Sequence, residues 1–254
     1  MSMDRRWEEI VSRPEESIDL AEAALAIAAE EYRGLDIPDY LARIDEMGAT
    51  LRQRLRRDIT TTETIIALNH YLFDELGFSG NATDYYDPRN SYLNEVLDRR
   101  LGIPITLSIV YVEVGRRAGL GLRGVSLGMD DLRQRIRAVQ GGGAAQASDD
   151  ELRRMLVAAG KKDILARVLR NLKAIYLQKR EMERALSASM RLIALDPRTA
   201  EEYRDRGAIY HELECFRAAL VDYERYLQLR PRADDAQAVK ERLAELQQLA
   251  ARLN

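Results

Sequence analysis

Groups that do nucleophilic, basic or metal-binding chemistry are scarce in this sequence, which holds one cysteine, Cys215, and two histidines, His70 and His211. His211 and Cys215 stand four apart, so a helix would carry both on one face, but no third ligand accompanies them and no metal is expected. His70 lies in "IALNHYLFDELGF", among apolar residues at helical spacing, and reads as a structural histidine. Thr106 and Ser108 offer hydroxyls in "GIPITLSIVYVEVGRRAGL", yet no general base is visible for either. Helical hydroxyls ordinarily bond back to the preceding turn, and that is the expectation for both. In "DPRNSYLNEV", Asp87 and Pro88 make a turn and Asn90 or Ser91 is placed to cap the next helix. The glycines of "QGGGAAQ" follow no strand, so they form no phosphate cradle, and no cofactor is expected.

The elements around these residues follow from bulk composition first. A chain of 254 residues, 46% hydrophobic and 32% charged, buries a substantial core under a well-solvated surface. With 39 basic against 42 acidic residues there is no global attraction for a polyanion, and no aromatic and basic stripe suggests RNA; nucleic acid is not an expected partner. One cysteine excludes a disulfide framework and fits a reducing compartment. "MSMDRRWEEIVSRPEES" is too charged for a signal peptide, and the longest uncharged run, residues 101–112, is too short to cross a bilayer. The reading is a soluble cytoplasmic protein with no membrane partner.

The N-terminal half reads as mostly helical. "EESIDLAEAALAIAAEEY" begins a helix after Pro14, and a second covers "IPDYLARIDEMGATLRQRLRR". "TTTETIIALNHYLFDELGF" starts at Thr60 or Thr61 as N-cap. "SYLNEVLDRRLG" closes at Gly102. Residues 105–118 mix β-branched side chains with a helical stripe. Pro104 in the first turn, Arg116 and Arg117 in the last and Gly119 beyond them decide for a helix. "LRGVSL" follows as a short strand. "QGGGAAQASDDE" is a flexible connector, giving a first domain over 1–139, a linker over 140–150 and a second domain over 151–254.

The second domain contains a repeat of 34 residues, which sets Ala174, Ile175, Tyr176, Ala185, Leu195 and Pro197 on Ala208, Ile209, Tyr210, Ala219, Leu229 and Pro231. Small alanines let paired helices approach, tyrosines fill the space beside them, and the prolines stop the second helices. This pattern resembles the tetratricopeptide repeat, with the last stretch, "DDAQAVKERLAELQQLAARLN", as a capping helix. By register, Arg170 and Arg204 occupy equivalent groove-side positions on the first helices. They are the candidate contacts to a protein or peptide partner, an acidic one by charge.

The run "YYDPRNSYLNEVLDRRLGIPITLSIVYVEVGRRAGLGLRGVSL" resembles the transglutaminase-like domain of the SirB1 family, whose usual companion is a tetratricopeptide-like half. The resemblance implies a mainly α protein: a degenerate transglutaminase-like domain of cysteine-protease-like α+β type, followed by a short helical repeat array. Its would-be nucleophile sits on a helix packed against a small antiparallel sheet. Such an enzyme needs a cysteine at a helix N-terminus, where the helix dipole lowers the thiol pKa, and a histidine to take the proton. Here Pro104 stands at the expected cysteine position. After Leu127 the chain runs directly into Gly128, without the strands that would bring the histidine and aspartate. Asn90, Ser91, Pro104 and Ser108 then outline a vestigial cleft with no catalytic residue. The expectation is a non-catalytic interaction or regulatory scaffold, a pseudoenzyme. The alternative is a hydrolase or amide-transfer enzyme whose His/Asp segment is absent from this chain.

Overall fold

The computed structural model describes residues 5–56, 58–120 and 160–252, which are helical almost throughout. The chain divides into two compact units, Glu9–Val168, and Met1–Glu8 with Leu169–Asn254. The 140–150 linker, the "LRGVSL" strand and the Leu127–Gly128 junction lie outside the described residues.

Helix α1 (Arg5–Ser12), whose residues up to Glu8 belong to the other unit, leads into the first unit, where a 3₁₀ turn, Glu15–Ser17, and then α2 (Leu20–Glu31) follow. The helix expected directly after Pro14 therefore starts later, because Asp19 caps it by accepting from the Glu22 N–H at 2.9 Å. From Leu20 to Ala28 only Glu22 escapes burial, so α2 is apolar on nearly every side and runs through the core. Helix α3 (Ile37–Arg54) crosses the later helix Pro104–Arg117 closely at Gly48, where an added Cβ would collide with the Arg117 Cβ. Helix α4 (Thr61–Asn69) opens on a capping box in which Thr60 accepts from the Glu63 N–H and Glu63 from the Thr60 N–H. It continues into a π-type turn, His70–Glu75.

Strands β1 (Ser79–Gly80) and β2 (Leu101–Gly102) pair in parallel, Ser79 opposite Leu101 and Gly80 opposite Gly102. Among the described residues this is the sheet; the antiparallel pairing implied by the family resemblance is not seen there. Between the strands lie a 3₁₀ turn, Pro88–Asn90, and α5 (Leu93–Arg99). Two local expectations are corrected here. The N-cap of α5 is Tyr92, so neither Asn90 nor Ser91 fills that place, and its C-cap is Arg100 in the left-handed region at φ 58°, not Gly102. Gly102 is needed for a different reason. A Cβ there would lie 2.9 Å from the Thr106 Oγ1 and 3.2 Å from Leu107 and Val96, so β2 could not pass under the next helix. That helix, α6 (Pro104–Arg117), starts with its proline in the first turn and buries every residue from Ile105 to Gly115. Gly119, at φ 99°, ends it as the sequence suggests.

The second unit takes α7 (Lys161–Gln178) from Leu169 on and stacks on it α8 (Met182–Leu195), α9 (Ala200–Glu212), α10 (Phe216–Leu229) and α11 (Ala236–Arg252). Helices α7 to α10 are two helix–turn–helix repeats and α11 caps them. Ala185 and Ala219 are fully buried at the paired crossings, as the repeat register requires. Within this unit Trp7 is fully buried, and its indole N–H donates to the Arg191 carbonyl at 3.4 Å. A residue from the start of the chain thus fills part of the core that two repeats alone would leave open.

Candidate functional site

The residues at the start of α6 form one hydrogen-bonded cluster. Asn90 is fully buried; its amide donates to the Asp84 carbonyl at 2.7 Å, and its side-chain oxygen accepts from Asn81 at 3.1 Å. Its own carbonyl accepts the Thr106 hydroxyl at 2.6 Å, and that hydroxyl in turn accepts from the Ile103 N–H at 3.2 Å. Thr106 therefore joins the turn before α5 to the first turn of α6. Ser91 is buried, 1% exposed. Ser108 is buried and donates to the Pro104 carbonyl at 2.7 Å, the back-bond to the preceding turn. Pro104 offers neither an N–H nor a nucleophile at the head of the helix.

Asp87 anchors the same turn. Burial pushes its carboxyl up, but side-chain and backbone hydrogen bonds from Arg89 and the charges of Arg89 and Arg99 outweigh this, leaving it below the usual carboxylate value. From this braced turn two tyrosines project, Tyr85 at 46% and Tyr86 at 60% exposed, their rings edge to face at 5.4 Å. Deeper on α6, Tyr111 is stacked against Phe73 at 6.2 Å with its hydroxyl buried and unpartnered, and burial pushes its phenol up. The cluster positions backbone and loop. It brings together no acid, base and nucleophile.

His70 lies elsewhere. The sequence places it among apolar neighbours, but its side chain is 65% exposed, with Nδ1 3.6 Å from Asp74 and 3.9 Å from Glu75. His70 follows Glu63 and Ile66 on one helical face, and all three are exposed, so the apolar neighbours lie on the other side of the helix. His211 stacks edge to face on Phe216 at 6.0 Å, and Cys215 is exposed at the N-cap of α10. Among the described residues, no group of three His, Cys, Asp or Glu side chains could hold a metal ion.

In the repeats, Arg170 and Arg204 both meet acids of the array itself. Arg170 Nε donates to Glu202 Oε1 at 2.8 Å, and the other Glu202 oxygen accepts from the buried Lys173 at 2.6 Å. Lys173 also reaches Asp205 at 2.7 Å, and Arg204 bonds Asp205 at 3.0 Å and Asp235 at 2.6 Å. This chain of alternating charge runs from α7 through α9 to Asp235 ahead of α11. The acids Glu202, Asp205 and Asp235 were not singled out by sequence reasoning. Their spacing from Arg170, Lys173 and Arg204, about one repeat on, was the available signal.

A helix headed by Pro104 on a small parallel pair, followed by paired helices at a fixed period, defines a transglutaminase-like domain joined to tetratricopeptide repeats. Family models agree: the transglutaminase-like superfamily matches residues 38–132, and the tetratricopeptide repeat matches residues 172–244. The UPF0162 protein of Xylella fastidiosa strain Temecula1 is 36% identical over 94% of each chain. That of Vibrio cholerae is 28% identical over 66% of this chain and 70% of its own. Mouse F-box only protein 21 is 43% identical over 65 residues, 26% of this chain and 10% of that protein. No solved structure matches. The chain belongs to the UPF0162 protein family, with the SirB1-type order of a transglutaminase-like domain followed by tetratricopeptide repeats. The alignment to the Xylella protein runs to 267 positions, more than the 254 residues of this chain, so that relative carries residues with no counterpart here.

Proposed function

We propose that this protein is a non-catalytic, cytoplasmic interaction scaffold, in which a transglutaminase-like domain is retained as structure and the repeats bind a protein or peptide partner. The observation that carries the reading is the state of α6. Its first residue is Pro104, and both nearby hydroxyls, Thr106 and Ser108, are hydrogen-bonded to backbone carbonyls. A nucleophile needs a neighbouring base and an open approach, and Cys215, the one thiol of the sequence, belongs to the repeats. Tetratricopeptide stacks present extended concave surfaces suited to peptides, which favours binding as the work of the second unit. Among the described residues no helix is long and apolar enough to cross a membrane.

The test is a screen of the purified protein against ester and amide substrates, run beside crosslinking capture of partners. The scaffold reading expects no turnover above that of a Ser108→Ala, Thr106→Val double variant, and it expects reproducible crosslinked partners. Turnover that the double variant loses would overturn it.

The second reading is a hydrolase or amide-transfer enzyme, favoured by the extra residues of the aligned relative. Those residues would supply the histidine and aspartate after Leu127. The intact mass of the protein, set against the 29.0 kDa of this sequence, separates the two readings, because a heavier chain would restore the segment.

A further inference from the structure

In the first unit, the turn between β1 and α5 shows more to solvent than the fold uses. Its exposed residues, 82–86, stand between two buried asparagines, Asn81 and Asn90, which bond each other at 3.1 Å. Asn81 Oδ1 accepts from the Thr83 hydroxyl at 3.0 Å and from the Asp84 N–H at 3.1 Å. The Asn90 amide donates to the carbonyls of Asp84 at 2.7 Å and Tyr85 at 3.3 Å. None of these bonds uses the side chain of Asp84, Tyr85 or Tyr86. The arch is therefore fixed before anything meets it, and a partner that binds its two tyrosines pays little to order them.

Other tyrosines of the chain are covered from within. Arginines lie over the rings of Tyr40, Tyr71, Tyr176, Tyr203, Tyr210 and Tyr226, between 4.7 and 5.9 Å from the centroids. Tyr32 packs on Tyr92, Tyr111 packs on Phe73, and Tyr223 is buried. Tyr85 and Tyr86 have only each other, with ring planes 82° apart. An edge-to-face contact covers a single face, and at 46% and 60% exposure much of the remaining ring surface meets water. Charge points the same way. The Arg89 Nε donates to both Asp87 oxygens, at 3.1 and 2.8 Å, its Nη2 lies 2.8 Å from the same carboxylate, and Arg99 is 3.7 Å away. Asp84, directly before the tyrosines and exposed, has no ion pair among the described residues. The neighbouring cations are thus engaged by Asp87, while one acid and two aromatic rings stand open.

We propose that residues 82–86 form a docking surface for an arginine in a basic segment of a protein partner, the Tyr85 and Tyr86 rings taking the guanidinium and the Asp84 carboxylate its charge. A cation is attracted to the electron-rich face of a phenol ring, and a planar guanidinium can stack there while its edge still donates to a carboxylate. The rings that this chain covers itself are covered by arginine. The inference goes beyond the scaffold reading, because it gives the first unit a contact of its own, and it does not depend on whether α6 is catalytically silent.

The experiment is an NMR titration of the full chain, following the backbone amides of Asp84, Tyr85 and Tyr86. The probes are an acetylated, amidated Gly-Arg-Gly-Arg-Gly peptide, its lysine counterpart, and its citrulline counterpart, which keeps the shape of arginine and loses the charge. Saturable shifts with the arginine peptide are expected, with its side-chain CH₂ protons moved upfield by the ring currents. The lysine peptide should bind more weakly and the citrulline peptide not measurably. A Tyr85→Ser, Tyr86→Ser double variant should lose about tenfold or more in affinity, and Asp84→Asn about two- to threefold. The Tyr85→Phe, Tyr86→Phe variant keeps the ring faces and should keep the binding. These side chains take no part in the bonds that hold the turn, and an unchanged thermal melt verifies that each variant is folded. Equal binding by citrulline, binding by lysine as tight as by arginine, undiminished binding by the double serine variant, or loss of binding in the double phenylalanine variant would each overturn the assignment. None of these outcomes bears on the ester and amide screen, so this inference and the scaffold reading fail separately.

Discussion

Thr106 donates its hydroxyl to the Asn90 carbonyl at 2.6 Å, and through that bond the head of α6 is fixed to the buried turn that precedes α5. The same oxygen accepts the Ile103 N–H, one of the donors a helix start leaves unsatisfied. Thr106→Val keeps the shape and removes both bonds inside a buried site. It is expected to lower stability by about 1–3 kcal/mol, whereas Thr106→Ser should fall well short of that. Chemical denaturation with an unchanged m-value is the check. A neutral Thr106→Val would show that the hydroxyl does not hold the two elements together.

Arg180 and Glu214 stand one repeat apart, each at the turn between the two helices of its repeat, and both are left-handed, at φ 58° and 56°. That conformation presses a Cβ against the following carbonyl and is unfavourable for any residue but glycine. Replacing either by glycine is expected to stabilise the protein by about 0.5–1 kcal/mol, part of the strain being offset by the freedom glycine gains when unfolded. Glu212→Gly, two residues before Glu214 and the last residue of α9, should instead destabilise, by at most about 1 kcal/mol. Opposite signs in thermal melts would tie the effect to backbone geometry and not to lost side chains.

Gly102 makes the opposite case, a glycine required by space and not by φ. Gly102→Ala would set a methyl against Thr106, Leu107 and Val96 together, three contacts at 2.9–3.2 Å on elements that cannot all yield. Overpacking of this kind costs about 1–3 kcal/mol. A melt as stable as wild type would mean that β2 can slide away from α6 without penalty.

Much of this was legible in the sequence because periodicity and capping are local. The 34-residue register located α7 to α10, and Pro104 with Gly119 bounded α6. What was missed depends on contacts distant along the chain. Gly102 reads as a helix stop because a glycine after a basic turn usually is one, and only the approach of Thr106 reveals its other use. His70 looked buried because its immediate neighbours are apolar, but it lies on the solvent face of the helix with Glu63 and Ile66. The register placed Arg170 and Arg204 on equivalent faces but could not show that Glu202 and Asp235 meet them, since pairing across helices is set by packing.

Asp87 links the loop to pH. Its folded value lies below the ordinary 3.8, so at pH well above 3.8 the folded protein gains stability from the ionised carboxylate that holds Arg89 and Arg99. As pH falls below 3.8 the unfolded chain takes up the proton first, and the contribution shrinks until the folded carboxyl is protonated too. Asp87→Asn should therefore be less stable than wild type at neutral pH, while the gap between them closes in acid. Arg89 is a mostly exposed partner, so the gap is expected to stay at or below about 1–2 kcal/mol. Denaturation curves for both proteins at neutral pH and well below 3.8 decide the matter. If no gap appears at neutral pH, the turn that carries Tyr85 and Tyr86 is braced by the Asx-type hydrogen bond to the Arg89 N–H, which asparagine can also accept, and the carboxylate charge has no part in it.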